Sequence, residues 1–316
     1  MTHAAAHLVG HTSPVGARWG SALFALCTSL TLGLAGCAAN SPTATGPQVS
    51  SQQAVTAQGL TPPALTPQAA ATHNTNGTAQ NHLDAAKVAL KDRHYDVALQ
   101  EAQAAIAVDP QGSEAQWVLG NIYNQRADTQ TTPALRQQDL ASAVTAYQQA
   151  INLNAHYDAA YTNLATVYYK TGQFDNALQQ VQQAIRLNPG DAISHYVLGT
   201  IYLQRDPKQY PDALSQALTE FEAAVKNDPH LGAAYTGLAT VYLLKSDYVK
   251  ALQNAHKGVE LTQDAPDPFV YWALAQAQSA NGDKAGCTQT IDKINSFHLQ
   301  DSQFNQQVQK LAQQCK

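Results

Sequence analysis

The strongest constraint on this chain is a 34-residue period, cleanest in Asp158–Asp191, DAAYTNLATVYYKTGQFDNALQQVQQAIRLNPGD. Tyr161, Leu164, Ala165 and Tyr168 stand at i, i+3, i+4 and i+7, which is one face of a helix. Gly172 ends that helix, because glycine takes a left-handed C-cap without a Cβ penalty. Ala177, Val181 and Ala184 give a second helical face, and Pro189 closes the unit because it cannot continue a helix. Two short helices with one apolar face each cannot bury those faces alone and need a neighbouring copy. The copies are present: His195, Leu198, Gly199 and Tyr202 follow 34 residues on, then Tyr235, Leu238, Ala239 and Tyr242, and Gln116, Leu119, Gly120 and Tyr123 precede.

With those residues in place, 79–301 resemble the tetratricopeptide repeat (TPR) family, whose pattern is aromatic, Leu, Gly or Ala and Tyr on a first helix, then small and apolar residues on a second, then Pro. The resemblance implies an all-α fold, a TPR solenoid of about six helix-turn-helix repeats. The expected repeats are 79–112, 113–157, 158–191, 192–231, 232–265 and 268–301, with a capping helix over 302–316. The first repeat departs from the pattern, with His82, Ala85, Ala86 and Ala89 at the signature places, as terminal repeats often do. Eleven extra residues in the second repeat either lengthen both helices or form a flap, and six more surround Asp206–Pro211 in the fourth.

The N-terminus has a different character. Trp19–Leu34 is uncharged and mostly apolar, follows Arg18 and ends in small residues, the pattern of a secretory signal peptide over 1–36. Leu34-Ala35-Gly36-Cys37 resembles a bacterial lipobox, which implies that Cys37 is lipidated and becomes the new N-terminus. The residue after it, Ala38, favours outer-membrane sorting in a Gram-negative envelope, facing the periplasm. Residues 37–78 are rich in Pro, Ala, Thr and Gln, with no Lys, Arg, Asp or Glu and few large apolar side chains, so they are expected to form a disordered tether.

Chemistry is sparse. No His-Glu-x-x-His, phosphate-cradling Gly-rich loop with Lys or Gly-x-Ser-x-Gly elbow occurs, so no catalytic residue is nominated. The histidines lack metal-ligand spacing, and His195, at a signature place, is expected to pack as an aromatic. No metal or cofactor is expected. Asp109, Asp158, Asp191, Asp228 and Asp247 fall at repeat boundaries or turns and are expected to cap helices. With a net charge of −5, no basic surface argues for a nucleic-acid partner, and none is expected. Cys287 and Cys315 remain after processing. Exported compartments permit disulfides, and antiparallel packing of the last helices brings the two near each other. The alternative leaves Cys287 filling an alanine-sized place and Cys315 as a free thiol.

The family resemblance puts the binding surface on the concave face. The lining positions map to Trp117, Asn121, Asn124, Thr162, Thr166, Tyr169, Tyr196, Thr200, Leu203, Thr236, Thr240, Leu243, Trp272 and Gln276, with Asn163 where peptide-binding members hold a ligand backbone. Trp117 and Trp272 are the expected anchors. The reading is a non-enzymatic, membrane-anchored lipoprotein of the bacterial cell envelope that scaffolds protein partners and touches the membrane through its acyl chains. Its alternatives are a pilotin-like assembly factor for a type IV pilus or secretion complex, an accessory subunit of an envelope enzyme, and an array that stacks on itself.

Overall fold

A computed structural model describes residues 75–206, 208–299 and 301–316. The expected signal peptide, Cys37 and nearly all of the tether lie outside the described residues. Among those described there are thirteen α-helices and no strand. Six antiparallel pairs form the repeats: α1 (Thr75–Lys91) and α2 (Tyr95–Val108), α3 (Ser113–Thr129) and α4 (Pro133–Leu153), α5 (Asp158–Lys170) and α6 (Phe174–Leu187), α7 (Ala192–Leu203) and α8 (Ala213–Asn227), α9 (Gly232–Leu244) and α10 (Tyr248–Leu261), α11 (Pro268–Ala280) and α12 (Lys284–Asn295). A last helix, α13 (Ser302–Gln314), follows. Helix α1 begins four residues before the expected boundary at Ala79. No described helix is long and apolar enough to cross a membrane.

Alanine sets the spacing. Ala98, Ala102 and Ala105 on α2, Ala143 and Ala150 on α4, Ala177 and Ala184 on α6, Ala217 and Ala224 on α8, and Ala251 and Ala255 on α10 are all buried. A methyl group lets each second helix lie close to its own first helix and to the next repeat. Large side chains fill what remains: Tyr147 and Phe221 are wholly buried. Phe221 sits between two glycines, and a Cβ added at Gly199 or Gly237 would come within 2.9 or 2.5 Å of its ring. Overpacking of that kind typically costs about 1–3 kcal/mol.

Four of the six turns within repeats take a left-handed residue. Gly172 and Gly282 supply it at φ 76° and 80°, whereas Arg93 and Ser246 take the same place with φ 61° and 60°. The eleven-residue insertion lengthens both helices of the second repeat, to 17 and 21 residues against 13 and 14 in the third. Its stem is locked by Arg126, whose guanidinium donates to both oxygens of buried Asp139 at 3.0 and 2.5 Å. The insertion in the fourth repeat is a loop in which Arg205 stacks on Tyr210 and bonds Asp175 of the preceding turn at 2.8 Å.

The boundary aspartates divide by role. Asp191 and Asp247 cap helices through their side chains, as do Asp267, Asp283 and Asp301. Asp109 and Asp228 instead follow α2 and α8 and accept from the backbone N–H two residues on, and Asp158 sits inside the first turn of α5, accepting from Asn188. The expectation of capping is corrected for these three: the proline after Asp109 or Asp228 makes an Asx turn there, before the next helix begins. His195 is also more than a packed ring. Its Nδ1 lies 2.6 Å from Glu220 Oε2 and its Nε2 3.0 Å from the Pro189 carbonyl, tying α7 to α8. His82 and Glu101 make the same link in the first repeat at 2.6 Å.

Helix α13 closes the far end with Phe304, Val308 and Leu311 buried against Trp272, Ile291 and Ile294. A disulfide joins Cys287 to Cys315, with Cα atoms 5.7 Å apart across 28 residues of chain. Closing a loop of that length is worth about 3–4 kcal/mol in the chain-entropy treatment. Cys315→Ser is therefore expected to lower the unfolding free energy of the C-terminal repeat by that amount, read by urea denaturation with and without reductant, and reductant should leave the variant unchanged. Ser246→Gly relieves a left-handed strain and should raise stability by about 0.5–1 kcal/mol in the same assay.

Candidate protein-interaction surface

The first helices of successive repeats, α1, α3, α5, α7, α9 and α11, lie side by side, and the second helix of each repeat packs against its own first helix. Along the expected lining the odd helices touch one another, so the face is partly closed. Of the residues expected to line an open groove, more than half are buried: Thr162, Thr166, Tyr169, Tyr196, Thr200, Leu203, Thr240 and Trp272. The threonine hydroxyls turn back onto their own helices, Thr166 to the Thr162 carbonyl at 3.0 Å, Thr200 to Tyr196 at 2.9 Å and Thr240 to Thr236 at 3.0 Å. Thr162 meets Ser194 of the next odd helix at 2.6 Å. These residues form a seam between repeats. Trp272 lies beneath the capping helix, edge-on to Phe304 with centroids 5.7 Å apart, and so is a core residue in place of the expected anchor.

The rest remain accessible: Trp117, Asn121, Asn124, Asn163, Thr236, Leu243 and Gln276. The first four of them share one ledge between α3 and α5. The Asn121 carbonyl oxygen accepts from the Tyr147 hydroxyl and from the Asn163 amide, both at 2.7 Å. That leaves the Asn121 amide N–H groups and the Asn163 carbonyl oxygen without a partner among the described residues. Lys170 donates to Asn124 at 2.9 Å and to both oxygens of Asp128 at 3.0 and 2.9 Å. Trp117 packs on Tyr157, centroids 5.7 Å apart, and its buried Nε1–H has no acceptor among the described residues. A donor and an acceptor beside an aromatic wall match the needs of an extended peptide backbone. The Asp128–Lys170 pair was not singled out from the sequence. Its signal was a lysine after the aromatic Tyr169, one helical position beyond the lining set.

Burial pushes the Tyr147 and Tyr169 hydroxyls well up, and Tyr196 to about 12, with Asp267 adding to the Tyr196 shift. Asp267, the N-cap of α11, is pushed up to about 6 by burial, offset in part by the Phe269 N–H it accepts at 2.9 Å. No group of three or more His, Cys, Asp or Glu among the described residues could hold a metal ion.

Family models described as tetratricopeptide repeat match residues 83–130, 134–201 and 214–266, together more than half of the chain. The chain belongs to the tetratricopeptide-repeat family. Among curated relatives, it is 27% identical over 175 residues to anaphase-promoting complex subunit 3 of Schizosaccharomyces pombe, covering 55% of this chain and 23% of that one. It is 29% identical over 142 residues to BBSome complex member BBS4 of Bos taurus, covering 45% and 26%. It thus spans about a quarter of the length of these relatives. Among solved structures, the APC/C hetero-tetramer Cut9-Hcn1 superposes with a TM-score of 0.63 at 15% identity, covering 77% of this chain and 44% of that one. The Pseudomonas aeruginosa pilF structure superposes at 0.57 and 14% identity, covering 74% and 98%. These superpositions share the fold. The TPR fold is typically a non-catalytic scaffold for protein partners.

The raised Asp267 carboxyl makes a pH signature. Its ordinary value is 3.8 and its folded value about 6. The folded state therefore binds a proton that the unfolded state has lost between these values, and stability falls as pH rises from about 4 to 6. Full ionisation costs on the order of 3 kcal/mol before solvent screening of this partly exposed group. Asp267→Asn keeps an oxygen to cap α11 and removes the charge. Thermal melts from pH 4 to 8 should show the variant flat across that window and more stable than wild type by about 1–3 kcal/mol at pH 7.5.

Proposed function

We propose that this protein is a lipid-anchored scaffold of a bacterial cell envelope, holding an extended segment of a protein partner on the ledge of Trp117, Asn121, Asn124 and Asn163. The observation that carries the reading is the Asn121 amide N–H groups and the Asn163 carbonyl oxygen, left over after the Asn163 amide and the buried Tyr147 hydroxyl have both donated to the Asn121 carbonyl oxygen. The partner is bound chiefly through its backbone, with one apolar side chain against Trp117. Support for the anchor is the Leu34-Ala35-Gly36-Cys37 sequence after an apolar run. Ala38 favours the outer membrane, with the array in the periplasm of a Gram-negative cell. Nothing in the ledge supplies a nucleophile beside a base, so the array acts by binding.

A narrower reading, a pilotin-like assembly factor for a type IV pilus or secretion complex, draws on the anchor and the repeat count. It calls for the same ledge to take a segment of the assembling subunit.

Crosslinked capture from native envelopes tests the scaffold. Wild type is expected to hold a defined partner set that Trp117→Ala/Asn124→Ala, folded by circular dichroism, loses by about tenfold. Equal capture by both proteins would place binding elsewhere and end the ledge reading. Intact mass of the mature protein reads the anchor separately: acyl chains on Cys37 are expected, and an unmodified Cys37 would end the anchor reading.

A further inference from the structure

The two long edges of the array differ in a way that no repeat pattern requires. Because the repeats stack in parallel, the turns within repeats share one edge and the turns between repeats share the other. Each turn is taken from the last residue of one helix to the third residue of the next. The turns between repeats (108–115, 153–160, 187–194, 227–234, 261–270 and 295–304) then hold eight carboxylates and no Lys or Arg. The turns within repeats (91–97, 129–135, 170–176, 203–215, 244–250 and 280–286) hold eight Lys or Arg and seven carboxylates.

Exposed apolar side chains follow the same division. Six large hydrophobic residues are exposed among those described. Val97, Leu135, Tyr210, Tyr248 and Val249 lie in the turns within repeats, Val88 lies on the last turn of α1, and none lies in a turn between repeats. The densest part is the neighbouring turns of the fourth and fifth repeats. There Tyr210, Tyr248 and Val249 are interleaved with Lys208, Lys245 and Lys250, while Arg205 of the same turn is held inward on Asp175 and Tyr210.

We infer that this edge, centred on the turns 204–212 and 244–250, rests on an anionic lipid surface. Tyrosine beside aliphatic side chains and long cationic ones is the composition that settles at a headgroup boundary, with the rings and methyls at the acyl level and the ammonium groups among the phosphates. The opposite edge, with eight carboxylates, is repelled by the same surface. The charge difference therefore orients the array, and the exposed apolar groups hold it there. This orientation does not depend on acylation of Cys37.

Hydrogen–deuterium exchange of the full chain with vesicles tests it. With vesicles containing phosphatidylglycerol, amides in 204–212 and 244–250 are expected to exchange at least about threefold more slowly, and those in 188–191 and 262–267 to be unchanged. The slowing should vanish with pure phosphatidylcholine vesicles and in Tyr210→Glu/Val249→Glu, whose side chains are exposed and removable without touching the core. Protection of both edges, of neither, equally with neutral lipid, or retained in the double variant would overturn the inference. So would protection that arises only when a soluble envelope protein is added. Flotation of the same samples separates this from the anchor: a chain that floats without edge protection keeps the anchor and loses the orientation.

Discussion

The structure depends on how closely its helices can approach. Where α2, α4, α6, α8 and α10 cross their neighbours the buried positions are chiefly alanine, with glycine facing the large rings, and the other contacts are scaled to that distance. Phe221 shows the tolerance. It is wholly buried with Gly199 on one side and Gly237 on the other, and neither place has room for a methyl group. Tyr147 repeats the arrangement against Gly120 in the second repeat, where an added Cβ would lie 2.5 Å from the ring. Interiors packed to this density transmit position, since a shift at one crossing has no void to absorb it. The ledge inherits that rigidity, because Tyr147, fixed by its ring, holds Asn121 through its hydroxyl.

The same closeness explains what happened to the concave lining. Threonine, with its hydroxyl returned to its own helix, presents only a methyl group, so first helices bearing Thr162, Thr166, Thr200 and Thr240 draw together and cover them. Asparagine and lysine between α3 and α5 cannot be buried so readily. They keep polar atoms that need partners or water, and the face stays open there. The lengthened helices of the second repeat stand beside that opening.

Most of the architecture was legible because it is periodic. Signature residues at fixed spacing place twelve helices, the turn at Gly172 and a last helix within 302–316. The surface was less legible because lining position and exposure are different quantities. Trp272 and Trp117 occupy the same place in their repeats, yet α13 covers the first and nothing equivalent covers the second. That difference is a property of neighbours in space. Capping by the boundary acids failed for a local reason at Asp109 and Asp228, where a following proline converts a cap into a turn.

The first helix shows what a further repeat stacked on the array would meet. In interior repeats the residues equivalent to Asn81 are Ala115, Ala160, Ser194, Ala234 and Val270, and those equivalent to Val88 are Ile122, Val167, Ile201, Val241 and Ala277, all of them buried. On α1 the same face reads Asn81, Asp84, Ala85 and Val88, and all four are exposed. Where interior repeats carry leucine, α1 carries Ala85, and where they carry Val118 or Val197 it carries Asp84. Another repeat stacked there would bury a carboxylate and an amide in exchange for one valine, an unfavourable exchange. At the far end α13 turns Gln303, Asn305, Gln306 and Lys310 outward. With both ends polar, extension by stacking is disfavoured.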